Sequence, residues 1–210
     1  MSMLFKNMFG NCSHFFKREE LDAALEDKWF SDTFLNGSCY PIPGNGGNEF
    51  VVTGNIYGME CAVRVIFARI DDQRFLTLRC VYVNVEKTPL KGMSTDDING
   101  METINMHGGC TWAGAAPWAR PANNRKDSPP KPDWFIGCDF NHNLGKLFGE
   151  ENDTTILNMA KELRDVIVPS VIETIMHKDM DVKTEMDIKT ENEDAENEEE
   201  NTGIIFMGKR

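Results

Sequence analysis

The sequence predicts an α+β fold, with an antiparallel or mixed sheet, flanking helices and a disordered acidic C-terminal tail. Three observations predict it. Three runs between residues 49 and 85 follow the two-residue alternation of strands. Residues 18–34 and 154–176 repeat apolar positions at helical spacing. Residues 179–200 hold eleven Asp or Glu against two Lys, so nine of the twelve net negative charges fall in the tail. The expected division is one α+β domain over residues 1–177 and a tail over residues 178–210.

The first helix is read from "REELDAALEDKWFSDTF", where Leu21, Ala24, Leu25 and Trp29 share a face and the acids come early. The Gly, Asn and Pro cluster "NGSCYPIPGNGGN" reads as a loop, and it lacks the Lys and Ser/Thr of a phosphate-binding loop. "EFVVTGNIY", "ECAVRVIFARI" and "RFLTLRCVYVNV" form a meander, with a hairpin turn at Asp71, Asp72 and Gln73. "EKTPLKGMSTDDING" is a polar connection, and "METINMH" is a short strand that delivers His107 to its end. "APWARPANNRKDSPPKPD" is a basic, Pro-rich loop, and "WFIGCDF" is an apolar strand.

The last helix sets Ile156, Met159, Ala160, Leu163 and Val166 on one face. Asp153 or Thr154 caps it, and Pro169 is expected to end or kink it. The tail repeats "MDVKTE" and "MDIKTE" from Met180 and Met186, with too little apolar surface to offset its ordering entropy. Only "GIIFMGKR" is apolar enough to dock.

Six cysteines occur without a CxxC pair, and no signal-peptide pattern precedes them, so reduced, space-filling cysteines in a cytoplasmic protein are expected. No run approaches the length of a membrane span, so no membrane partner is expected. The acidic balance argues against nucleic acid as a partner.

Chemistry concentrates in two stretches, "INMHGGCTWAG" and "GCDFNH". If neighbouring strands deliver them to one crevice, His107, Asp139 and His142 meet there, with Thr111 beside them. A His, Asp, His set suits a divalent metal such as zinc or manganese with an open position for water. It equally suits a metal-free His acid/base pair oriented by Asp139. A plainer account is that Asp139 caps the following turn and His107 bonds a backbone carbonyl. The double glycine would let a substrate or a neighbouring strand approach closely.

Among lesser candidates, Trp112, Trp118 and Trp134 are read as core before a stacking wall, and Arg120, Arg125, Lys126 and Lys131 as a solvated loop. Cys110 and Cys138 are read as fillers before thiolate nucleophiles.

The run "RCVYVNV…TPLKG…INMHGGCTWAG…WFIGCDFNH" resembles a family of small uncharacterised phage and viral proteins with paired His-Gly-Gly-x-Thr and (Trp/Phe)-x-Gly-x-Asp-x-x-His motifs. Tyr82-Val83, Pro89 with Gly92, His107 to Thr111, Phe135 with Gly137, Asp139 and His142, and the helix around Leu157 to Val168 match its landmarks. The likeness covers residues 79–168. Thr88 replaces a frequent family His, and Asn143 to Lys146 lack a frequent acidic residue. The family has no assigned activity, so the resemblance implies a site without naming its reaction. The reading is a small viral-type, hydrolase-like enzyme of the host cytoplasm acting on a small molecule, with His107, Asp139 and His142 as metal ligands or acid and base. Its alternative is a binding or decoy protein that sequesters a ligand or a host protein.

Overall fold

The computed structural model describes residues 16–42, 47–69, 75–116, 118, 133–141 and 154–178. His142, the turn at Asp71 to Gln73, the proposed cap Asp153, the basic residues of the Pro-rich loop and the acidic tail lie outside these residues.

Six strands form one sheet in the order β1-β2-β3-β4-β6-β5, and every pairing is antiparallel. The strands are β1 (Asn36–Ile42), β2 (Gly47–Ile56), β3 (Met59–Arg69), β4 (Phe75–Asn84), β5 (Trp112–Ala115) and β6 (Trp134–Asp139). Helices α1 (Arg18–Glu26) and α2 (Lys28–Thr33) precede the sheet, α3 (Thr95–Asn99) follows β4, and α4 (Ile156–Glu162) follows β6. The α+β class is therefore the observed one. Among the described residues no helix is long and apolar enough to cross a membrane.

Several elements differ from the sequence expectation. The single N-terminal helix is two, because Asp27 leaves helical geometry and its Oδ1 accepts the Phe30 N–H at 3.0 Å. That bond, reinforced by Lys161, holds the Asp27 carboxyl below its usual range. The Gly/Pro segment read as a loop supplies edge strand β1, where Pro41 is tolerated because an edge strand leaves one side of its backbone unpaired. "METINMH" forms no strand, and its backbone is tied to helix side chains instead. Inside the polar connection, Ser94 and Asp97 make a reciprocal capping box that starts α3. Helix α4 is capped by Thr155, whose Oγ1 accepts the Asn158 N–H at 3.2 Å, in place of Asp153 or Thr154.

Pro169 does not end the last helix. Leu163–Ile167 widens into a π-helical turn in which the Val168 N–H reaches back to the Leu163 carbonyl, and helix resumes over 168–178. A proline has no N–H and crowds the carbonyl four residues earlier, so a widened turn directly before it relieves both problems.

Strand alternation sorts the side chains. Phe50, Val52, Cys61, Val63, Val65, Val81, Val83, Ile136 and Cys138 face the helices and join Phe30, Phe34, Met159 and Leu163 in the main core. The other face carries Val51, Ala62, Cys80, Tyr82 and Phe135, partly covered by Trp118. The Trp118 ring packs edge-on against Tyr82 and Phe135 at 4.9 and 5.0 Å. Gly137 permits this arrangement: a Cβ there would meet the Val81 carbonyl oxygen at 2.3 Å and the Tyr82 ring at 2.6 Å.

One buried ion pair joins three elements. Glu20 of α1 accepts from Arg79 of β4 through both oxygens, at 2.6 and 3.0 Å, with both side chains under one-tenth exposed. Glu20 Oε1 also accepts the Ile156 N–H at 2.9 Å, so the same carboxylate satisfies the first turn of α4. On the other face Arg64 binds Glu49 through Nε at 2.7 Å and through its second terminal nitrogen, and it approaches the Tyr82 hydroxyl at 3.4 Å.

Four cysteines, Cys61, Cys80, Cys110 and Cys138, are free and buried, as expected of fillers. Cys39 differs, being disulfide-bonded to a partner outside the described residues.

Candidate functional site

The loop from Met101 to Thr111 carries His107, and its path is fixed from two sides. Along the last helix, Thr103 Oγ1 meets Thr174 Oγ1 at 2.6 Å, and the Asn105 N–H donates to Ser170 Oγ at 3.0 Å. From α3, the Asn99 side chain accepts the Cys110 N–H at 2.6 Å and donates to the Cys110 carbonyl at 3.0 Å. Between these anchors Met106 to Gly109 forms a tight turn closed by the Gly109 N–H on the Met106 carbonyl at 2.9 Å.

That turn accounts for the double glycine. Gly108 and Gly109 have φ of 66° and 95°, where a side chain is strained. A Cβ on Gly109 would also stand 3.0 Å from Asn99 Oδ1, the atom that holds Cys110. The glycines therefore shape a turn that presents His107 at its first corner.

His107 is partly exposed and lies flat on Phe140, with ring centroids 4.6 Å apart and planes 19° apart. Its Nδ1 stands 3.4 Å from Glu162 Oε1, the last residue of α4 before the π turn. The side chains are 45% and 28% exposed, so water reaches the pair without flooding it. Glu162 and Phe140 were not singled out from the sequence. Phe140 follows Asp139 in the motif itself, whereas Glu162 had only its place beside the apolar positions Met159 and Leu163 to mark it.

Asp139 is placed differently. Alternation along β6 turns it away from Cys138 and Phe140, onto the face of Cys80, which it opposes in register. Its Oδ1 accepts the Asn141 N–H at 2.9 Å, which is the turn-capping role that the plainer reading described. Asn141 then ties the strand end to β4, accepting the Arg79 N–H and donating to the Thr77 carbonyl, both at 2.9 Å.

Thr111 serves the same strand end. Its N–H donates to the Gly137 carbonyl at 2.9 Å, and its Oγ1 accepts the Asp139 N–H at 3.1 Å. The structure thus brings Thr111 and Asp139 together through backbone, and brings His107 beside Glu162 on the helical face of the sheet. His142, the third member of the expected set, lies outside the described residues. Among the described residues no group of three His, Cys, Asp or Glu side chains is placed to hold a metal ion.

The neighbouring thiols are quiet. Burial pushes Cys138 well above its ordinary range and raises Cys110 as well, so neither is a ready thiolate. Trp134 packs on the main core and Trp118 on the second face, while Trp112 is more than one-third exposed. Comparison of the chain with protein-family models, with curated proteins and with solved structures finds no match.

Proposed function

We propose that this protein is a small hydrolase-like enzyme in which His107 transfers a proton and Glu162 stabilises the imidazolium that forms. The single observation behind this reading is the mounting of His107. A half-exposed imidazole is stacked on an aromatic ring, faced by a carboxylate from a different element, and carried on a loop tied to both α3 and the last helix. A merely solvated histidine needs none of these constraints, whereas an acid/base group needs a fixed position and a nearby opposite charge. The π turn that follows Glu162 supports the reading, since such turns concentrate at functional sites. Substrate is read as a small molecule, and a phage or viral origin with action in the host cytoplasm rests on the motif resemblance alone.

The test uses His107→Gln and Glu162→Gln with a panel of p-nitrophenyl esters, phosphates and phosphodiesters. Expected turnover falls about 10²- to 10⁴-fold for His107→Gln and less for Glu162→Gln, while unfolding free energy changes by under about 1 kcal/mol. Insensitivity to EDTA separates this acid/base site from a metal site. Turnover that survives His107→Gln unchanged overturns the proposal. A panel without turnover, joined to ligand binding that ignores His107, replaces it with a sequestering protein.

A further inference from the structure

The last helix runs to residue 178 beside an apolar groove at the end of the β2–β3 hairpin. Tyr57, Pro169, Ile172, Glu173, Met176 and His177 line this groove, whose volume is ≈ 520 Å³. Tyr57 is 65% exposed and Met176 61%, the two most exposed large hydrophobic residues among those described. Tyr57 is held there by its backbone: it is the first residue of the two-residue turn, with φ of 51°, a conformation that a bulky residue adopts at a cost. A strained turn that keeps an aromatic ring in water, opposite an exposed methionine, makes a surface suited to an apolar segment.

We propose that the segment Gly-Ile-Ile-Phe-Met at 203–207 of this same chain docks in the groove. Past residue 178 it is the only place where large apolar residues are adjacent in sequence. The intervening 24 residues, 179–202, are dominated by Asp and Glu, which Glu173 on the groove wall repels. Met176 and His177 sit where this tether departs. A random chain of that length would span about 27 Å on average and give a local concentration of about a millimolar, so weak apolar contact would suffice for docking in cis. Lys209 and Arg210 follow the segment after Gly208, and their charge is opposite to that of Glu173.

The test places the photo-reactive p-benzoylphenylalanine at Phe206 in the 210-residue chain, irradiates it at micromolar concentration and maps the cross-links by mass spectrometry. The expected result is a cross-link within one chain to Met176, Ile172 or Pro169. In Met176→Asp, a change at an exposed position, the yield at Ile172 and Pro169 falls about ten-fold. Cross-links that join two chains show a second copy in the groove and overturn the proposal, as do cross-links confined to other surfaces. An undiminished groove yield in Met176→Asp overturns it as well.

Discussion

Glu20→Gln isolates a carboxylate that serves three elements of the fold. Three donors converge on Glu20, two from the Arg79 guanidinium and one from the Ile156 backbone. An amide of the same shape offers one oxygen where the carboxylate offers two, and turns an NH₂ group toward at least one donor. It also leaves the Arg79 charge in a site where that side chain is only 8% exposed. Removing one partner of a buried pair costs about 3–5 kcal/mol, a third or more of the total stability of many domains. The double variant Glu20→Met with Arg79→Met removes both charges and leaves only the Ile156 N–H uncapped. It should lie within about 2 kcal/mol of the parent, less destabilised than Glu20→Gln alone. Urea unfolding followed by tryptophan fluorescence measures Glu20→Gln and the four corners of the cycle formed by the parent, Glu20→Met, Arg79→Met and their double. A cost below about 1 kcal/mol for Glu20→Gln, or strictly additive single changes, would refute the argument that this staple holds α1, β4 and α4 together.

The remaining predictions use the same assay. Gly137→Ala should cost more than about 2 kcal/mol, because the added methyl group meets the Val81 carbonyl and the Tyr82 ring with no space to yield; a change under 0.5 kcal/mol is not compatible with that contact. Asn99→Ala removes both bonds to Cys110 and should destabilise by about 1–3 kcal/mol while broadening the NMR signals of the His107 ring; sharp, unshifted signals would show that the loop does not depend on Asn99. Burial pushes the Cys61 thiol from an ordinary 9.0 up to about 12 and the Cys80 thiol up to about 11. The unfolded chain therefore releases these protons first, and stability present below pH 9 is lost as pH rises towards 11 to 12. The slope is at most about 1.4 kcal/mol per pH unit for each thiol, and a urea midpoint that stays constant or rises between pH 9 and 10.5 contradicts this linkage.

The central meander was legible because β2, β3 and β4 alternate over about ten residues each, long enough for the period to dominate. β5 is four residues of Trp, Ala and Gly, too short for any period to show. Four of the seven residues of β1 are Asn, Gly, Ser and Pro, which read as a loop and are tolerated at an edge position that only the folded sheet defines. The segment Met101 to Met106 reads as a strand because it is part apolar, yet the Ile104 N–H closes a turn on the Met101 carbonyl at 3.3 Å, and the segment's polar partners are Ser170 and Thr174 of the last helix. The site follows the same division. His107 and its glycines were visible as an oddity of local sequence, and the turn explains them. Glu162 was not visible, because the contact depends on how a helix 55 residues downstream is rotated over the sheet.

That rotation rests on the π turn at Leu163–Ile167. An α-helix advances about 100° per residue, so eight residues of regular helix would leave Glu162 and Ser170 about 80° apart. The wider turn absorbs one residue, and the two then face the same side to within about 20°. This is why one loop meets Ser170 through Asn105 and Glu162 through His107. In length the helix holds one residue more than its facing surface uses. Loss of the exposed Val166 would keep both ends aimed at the loop but would return Pro169 to uninterrupted α-helix, where its ring crowds the carbonyl four residues earlier, so the extra residue serves the loop contacts and the proline together.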